Sequence, residues 1–369
     1  MNDRPSLLIA DAVRVFAGAE RFVLDAARVL GERGWRVTIL AYPGRPLHRR
    51  ALEAELDVHT VRTRANGAPW TVLPLMAWCA RRRFDAVLSV YDKDLRTAAW
   101  AARMARPSTA ILHSRECDAP IKDRPWIRAF HTRVADRVLV NSEATKRTTL
   151  DSAPWLAAER VGVVPKGIDL TLFDRERGPR RPGPVRIGFA GQLVARKRVD
   201  RLLRAVASLD VAATLHVAGD GPLRGELQRN VPEGVDVRFD GFVHDMPQWY
   251  RSIDVFVLPS LVEGWGYVVA EAAAAGCAVL AHDSSSVPEV VPAGAGAVLV
   301  APDAPLDEAL AKLVHEGPSG WQRRGDALHE HARRSLGLDR MAAVLENELF
   351  TALSARRAGT VRRKSPWSS

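Results

Sequence analysis

The feature that most constrains this chain is a rhythm that occurs twice. Short β-branched or apolar runs, SLLIA, RVTILAY, DAVLSV, TAILHS and RVLVNS, alternate with segments such as ERFVLDAARVLGERG that carry apolar residues at helical spacing. After the charged, Pro- and Gly-rich stretch DRERGPRRPGPV, residues 174 to 185, the rhythm restarts with VRIGFAG, ATLHVAG, VDVRFDG, DVFVLPS and CAVLA. Strands so continuously apolar suit a parallel sheet covered by helices on both faces. The expected fold is therefore α/β, with two doubly wound, Rossmann-like parallel-sheet domains facing across a cleft.

The expected boundaries are a first domain at 1–173, a linker at 174–184, a second domain at 185–337 and a final helix at 338–354 returning toward the first domain. The basic stretch 355–369 reads as a disordered tail. With 369 residues, the chain has the length for two ordinary cores. No run approaches the roughly 20 apolar residues of a membrane span, and the apolar run at the start is too short for a secretory signal. Cys79, Cys117 and Cys277 are scattered, with no C-x-x-C spacing, so neither a disulfide framework nor a zinc site is expected. A reducing, cytoplasmic setting fits.

The net charge of +10 is uneven: residues 1–183 hold 32 Lys+Arg and 21 Asp+Glu, while the last fifteen hold 5 and 0. Such a half attracts anionic lipid, nucleic acid or an acidic small molecule. Equally, only 7 of the 53 basic residues are Lys, an Arg bias that codon composition alone would produce. The anionic inner face of a membrane is expected as a peripheral contact; nucleic acid is not expected as a partner.

Three turns carry the candidate chemistry. In VEGWGYVVAEAAAAGCAVLA, Glu263 and Glu271 stand eight positions apart, with Glu263 in a strand-to-helix loop and Glu271 in the first turns of the helix. Gly264 and Gly266 let that backbone bend, and a helix start presents N–H groups to an anion such as a diphosphate. A carboxylate accepts two hydrogen bonds at once, so Glu271 suits a ribose diol and Glu263 another hydroxyl-rich ring; a Glu that only decorates a helix is the plainer alternative. FAGQLVARKRVDRLL places Arg196, Lys197 and Arg198 after a strand and Gly191. VAGDGPLRGEL sets Gly219 and Gly221 after another strand, but Pro222 and an Arg at the third glycine spoil a dinucleotide fingerprint.

With GAERFVLDAARVLGERGWRVTIL, HSRE, DRVLVNSEAT, VVPKGIDLTLF and FDGFV, these turns follow one order along nearly the whole chain. They resemble family 4 glycosyltransferases of the GT-B fold. The resemblance implies a retaining, metal-independent transfer of a sugar from a nucleotide-diphosphate sugar to an acceptor hydroxyl, with no cofactor beyond that co-substrate. It implies as partners a nucleotide-sugar donor, bound in the second domain, and a small-molecule, glycan or lipid-linked acceptor, bound in the first. Glu271 then resembles the ribose-binding glutamate, Glu263 the one on the donor sugar, and Lys197 the phosphate-binding lysine. Trp265, Gly266 and Tyr267 would meet sugar and diphosphate through their backbones, and Gly219 belongs to the same site. Gly18 matches a glycine loop closing on the donor, His113 a histidine near the transferred sugar, and Phe242 and Val243 lie near the base.

Two positions depart from the family: Gln192 stands where an arginine is common, so that either Arg196 or Arg198 compensates or the phosphate is held less strongly, and Lys166 stands in place of the Asn of PNG. For His113, a core histidine at a strand end is the alternative. Asp92-Lys93-Asp94 forms a D-x-D, but its Lys opposes a cation, and Asp94 is expected to cap the helix LRTAAWAARMA; no metal ligand is expected. Two other functions carry similar features: a nucleotide-sugar epimerase of the same fold, or a noncatalytic nucleotide-sugar or glycan-binding protein.

Overall fold

The structure, a computed structural model, describes residues 4–11, 17–62, 68–174 and 182–363. They divide into two compact units, residues 1–166 with 338–369, and residues 167–337.

In the first unit, β1 (Ser6–Asp11), β2 (Arg36–Ala41), β3 (Asp57–Thr60), β4 (Ala86–Ser89), β5 (Ala110–Arg115), β6 (Arg137–Val140) and β7 (Val161–Val163) form one sheet in the order β3-β2-β1-β4-β5-β6-β7. Every pairing is parallel. Alternate residues of β1 serve opposite faces: Leu7 and Ile9 enter one apolar cluster, Leu8 and Ala10 another. Covering both faces is what an all-parallel sheet requires. The helix Leu338–Arg363 supplies Met341, Ala342, Leu345, Leu349 and Leu353 to the cluster containing Leu7 and Ile9. Glu346 accepts hydrogen bonds from the Arg33 guanidinium and the Trp35 indole.

In the second unit, β8 (Val185–Ala190), β9 (Ala213–Ala218), β10 (Asp236–Gly241), β11 (Val255–Leu258), β12 (Ala278–His282) and β13 (Val298–Val300) form a parallel sheet, order β10-β9-β8-β11-β12-β13. β11 and β12 are buried along their whole length.

Three expectations need correction. The segment before the proposed linker belongs with the second unit from Gly167 onward, because Ile168 and Phe173 are buried in that unit's core and Ile168 bridges Gly337. Residues 175–181 of the linker lie outside the described residues. The final helix runs on to Arg363, so residues 355–363 are not a disordered tail, and 364–369 are outside the described set. Asp94 is not a helix cap: the helix starts at Asp92 after Tyr91, and Asp94 sits buried within its first turn. Three strands were also missed, β3, β7 and β13. Each is a short edge strand, and DVHT and VGV lack the long apolar run that a central strand needs.

The loops after β8 and β9 interlock. Leu193 N–H donates to the Asp220 carbonyl at 2.9 Å and Leu223 N–H to the Leu193 carbonyl at 3.1 Å. Gly219 has φ +124, and a Cβ there would lie 2.0 Å from the Gly191 carbonyl oxygen. Gly219→Ala combines a backbone conformation that L residues resist with a clash against rigid backbone, so we expect about 2–4 kcal/mol of destabilisation. A urea midpoint within experimental error of the parent would contradict this. Among the described residues, no helix is long and apolar enough to cross a membrane.

Candidate active site

From β8 the second sheet grows through β9 to β10, and the chain then crosses to place β11 on the other flank of β8. The order therefore reverses between β8 and β11, and in open parallel sheets ligands bind at the carboxyl ends of the strands flanking such a reversal. The loops that leave these two strands hold the ARKR and VEGWG residues. They are tied together by Leu261 N–H donating to the Arg196 carbonyl at 2.9 Å and by the Arg196 guanidinium donating to the Val262 carbonyl at 3.2 Å.

Across that seam, Lys197 Nζ lies 2.5 Å from Glu263 Oε1, with both side chains buried. Arg196 Nη1 stands 3.9 Å from Glu263 Oε2 and is half exposed. Burial pushes the Lys197 pKa down, the charge and hydrogen bond of Glu263 push it up, and Arg196 adds repulsion. Two cations around one carboxylate leave a net positive corner that an anion completes. Arg198, in the left-handed region at φ 49, points elsewhere, donating to the Pro302 carbonyl at 2.6 Å. Of the two arginines considered as compensation, Arg196 is the one beside Lys197 and Glu263. Gln192 is exposed in the same loop.

Gly266 takes φ +85 and caps the helix Tyr267–Ala274, its carbonyl accepting from Val269 and Ala270 N–H. Trp265 is buried, with its ring 5.0 Å from that of Tyr267. Glu271, one turn into the helix, is buried and accepts a hydrogen bond from the Tyr250 hydroxyl at 3.0 Å. Sequence reasoning missed Tyr250; the QWYRSID run before β11 signals only a buried helix. Phe242, directly after β10, is 69% exposed, and its ring meets His244 edge-on at 4.9 Å, while Val243 is half-buried. A large apolar side chain left so exposed suits an aromatic base.

Gly18 and His113 belong to the first unit. Gly18 opens the helix Gly18–Glu32, whose buried Glu20 accepts from Ala17 N–H at 2.6 Å and from the Tyr91 hydroxyl at 2.9 Å. His113 is on β5 and 2% exposed, with Nδ1 3.0 Å from Ser89 Oγ and Nε2 3.3 Å from Asp92 Oδ1. Burial works against the charge of Asp92, but the imidazoles of His113 and His131 and then the Arg115 guanidinium outweigh it, holding the carboxyl below its usual range. His131 is pushed down to about 4, chiefly by burial and then by His113. Beside this group lies a cavity of about 370 Å³ lined by Asp92, Arg115, Cys117, Lys122, Arg124 and Trp126. Sequence reasoning missed His131, which no motif joins to His113 before the chain folds, and did not single out Arg115 within HSRE. Lys166 is buried, bonded to Glu116 Oε1 at 2.8 Å and stacked 3.2 Å above the Phe22 ring.

The comparisons agree with this fold. The family model described as Glycosyltransferase Family 4 matches residues 16–172, and that described as Glycosyl transferases group 1 matches 184–316. The chain is 34% identical over 204 residues to the GDP-mannose-dependent alpha-mannosyltransferase of Mycobacterium tuberculosis, covering 52% of this chain and 51% of that protein. It is 31% identical over 286 residues to the D-inositol 3-phosphate glycosyltransferase of Thermomonospora curvata, covering 65% of each. The matches thus span between half and two thirds of these relatives' own length. Among solved structures, Anabaena Alr3699/HepE in complex with UDP and glucose superposes with a TM-score of 0.78 at 18% identity, covering 94% of this chain and 100% of that one. A glycosyltransferase from Rickettsia africae gives 0.81 at 16%, covering 95% and 99%; at such identities the likeness speaks for the fold. With two matching models in tandem, two parallel α/β sheets and the acidic and basic turns at the second sheet's reversal, the chain belongs to glycosyltransferase family 4 and has the GT-B fold.

Proposed function

We propose that this protein transfers a sugar from a nucleoside diphosphate sugar to an acceptor hydroxyl. The observation that carries the reading is the Lys197–Glu263 pair with Arg196 at the β8/β11 reversal, a cationic corner shaped for a diphosphate beside an acid shaped for a sugar. Breaking the bond between the sugar's anomeric carbon and the diphosphate leaves negative charge on the leaving group, and cations already in place are worth most as that charge develops. The acceptor oxygen bonds to the anomeric carbon, and its proton passes to the departing phosphate, on the face that gives retention. Lys197 and Arg196 hold the diphosphate, Glu263 the transferred sugar, and Glu271, oriented by Tyr250, the ribose; His113 serves the sugar from the first unit. Phe242 and Val243 flank the base, while Gly18, Gln192, Gly219 and the backbone of Trp265, Gly266 and Tyr267 complete the donor site. The GDP-mannose dependence in one relative's name supports a nucleoside diphosphate donor.

The test is a chromatographic screen of nucleotide sugars with excess chelator present. Release of free nucleoside diphosphate that persists in chelator supports both the reaction and its independence of a metal. A new sugar nucleotide with no free diphosphate indicates an epimerase, and no turnover of any donor indicates a binding protein.

The basic charge of residues 1–183, with the cavity bordered by Arg115, Lys122 and Arg124, supports an anionic acceptor and peripheral adhesion to anionic lipid. Each basic side chain near such a surface adds about 1 kcal/mol, screened by salt. The chain should sediment with phosphatidylserine vesicles at low salt and be released as salt rises; no binding at low salt removes this part of the proposal.

A further inference from the structure

The helix Pro69–Arg82, PWTVLPLMAWCARR, carries no charged residue before Arg81. Val72, Leu75 and Cys79 bury one of its faces in the cluster that also holds Leu8 and Ala10 of β1. The opposite face is left uncovered: Trp70 is 71% exposed and Leu73 53%, and Pro74, Ala77 and Ala80 are exposed with them. Positions 70, 73, 77 and 80 fall on one side of a helix, so these side chains form a continuous apolar stripe. A surface helix ordinarily turns polar residues outward. Here both faces are apolar, and among the described residues only the inner one is covered.

The charge at the end of the stripe says what covers it. Every charged residue of the helix is an arginine, Arg81 and Arg82, and Arg83 follows at the carboxyl cap. Arg82 is paired with Asp57, whereas Arg81 and Arg83 are exposed and hold no ion pair among the described residues. Trp70 and Arg81 are about 16 Å apart along the helix axis, so a helix lying flat on a surface presents both to it. An apolar stripe in line with unpaired arginines suits the headgroup layer of a bilayer, where apolar side chains sink toward the acyl boundary and cations meet lipid phosphates. Indole rings favour that layer because one end is apolar and the other donates a hydrogen bond. A second copy of the chain fits less well, since a stable protein interface takes about 20–30 residues a side, several times this stripe.

We propose that this stripe docks the protein on an anionic bilayer, with Trp70 and Leu73 in the interface and Arg81 and Arg83 against lipid phosphates. The inference rests on the peripheral adhesion proposed above, and assigns it to one helix rather than to the basic charge of the whole half. In a strand-to-helix unit of a parallel sheet the helix begins at the carboxyl edge of the strand, and the helix Pro69–Arg82 follows β3. The 370 Å³ cavity lies at the same edge, bordered by Asp92 after β4 and by Arg115 at the end of β5. Seating Trp70, in the first turn of the helix, therefore brings that edge of the first unit to the membrane, where an acceptor carried by a lipid is presented.

The full-length protein should sediment with vesicles containing phosphatidylserine and much less with phosphatidylcholine alone. Vesicles brominated in the acyl chains should quench the parent's tryptophan emission. Trp70→Phe, which keeps the apolar contact, should bind as the parent does and lose most of that quenching. Trp70→Ser/Leu73→Ser should lower the partition coefficient about 10- to 100-fold, and Arg81→Gln/Arg83→Gln about 5-fold per cation removed. All four side chains are exposed, so circular dichroism should be unchanged in each variant. Partition of Trp70→Ser/Leu73→Ser equal to the parent's, or quenching that survives in Trp70→Phe, overturns the helix as the docking surface and leaves the general adhesion standing. A parent that ignores phosphatidylserine at low salt removes both. A dimer seen by light scattering that Trp70→Ser/Leu73→Ser dissociates, with vesicle binding unchanged, overturns the proposal in favour of a second copy.

Discussion

Lys197→Ala should lower kcat/KM for the preferred donor about 10²- to 10³-fold, the range seen when one fixed group facing a developing negative charge is removed. The loss should fall mainly on kcat, since the diphosphate gains charge as the sugar leaves. The same change leaves the Glu263 carboxylate, whose side chain is 8% exposed, with only the half-exposed Arg196 at 3.9 Å, and removing one member of a buried pair costs up to about 3–5 kcal/mol. The two effects separate in the double variant Lys197→Ala/Glu263→Gln, which no longer buries an unpaired charge. It should recover much of the urea midpoint and none of the rate. Near-normal turnover in Lys197→Ala would take Lys197 out of the donor site, and recovery of rate together with stability would make the pair purely structural.

The two glutamates should fail in different ways. Glu271→Ala should weaken binding of both donor and free nucleoside diphosphate about 10- to 100-fold, the worth of a hydrogen bond to a charged group, because a ribose contact is the same in ground and transition states. Tyr250→Phe, which removes the hydroxyl 3.0 Å from Glu271 Oε2, should follow the same pattern at about 5-fold. Glu263→Ala should mostly spare the affinity for free diphosphate and lower kcat, because its contacts matter as the sugar ring flattens and charge develops. Gln should be milder than Ala at both positions, since the amide keeps one acceptor oxygen. Calorimetric titration with the diphosphate, beside steady-state kinetics, decides the matter. Equal affinity losses at both sites, or none at either with normal kinetics, would sink this division.

Lys197 and Glu263 were each legible from their own turns, the first as a cation after a strand, the second as an acid in a loop. Their partnership was not, since they lie 66 positions apart and meet only because β8 and β11 are neighbours. Shorter separations had the same effect, 21 positions hiding Tyr250 from Glu271 and 39 separating Asp92 from His131. Asp94 was misread for a local reason: helix starts shift by two residues at little cost, and the Tyr91 carbonyl, accepting from Asp94 and Leu95 N–H at 2.8 and 3.1 Å, sets this one.

What the sequence by itself determined was the succession of buried strands, because a parallel sheet covered on both faces demands apolar runs that survive as a pattern in one dimension. VFVL and AVLAH announce themselves for that reason, as do the glycines at positions such as Gly219, where only a residue without Cβ fits against the Gly191 carbonyl. Strand order and the edge strands β3, β7 and β13 were decided by tertiary structure, whereas the return of the final helix to the first unit was already expected. Edge strands bury too little to need an apolar signature. The approach of His113 and His131 to Asp92 likewise depends on which loops the folded sheet brings together, and leaves no trace in their spacing along the chain.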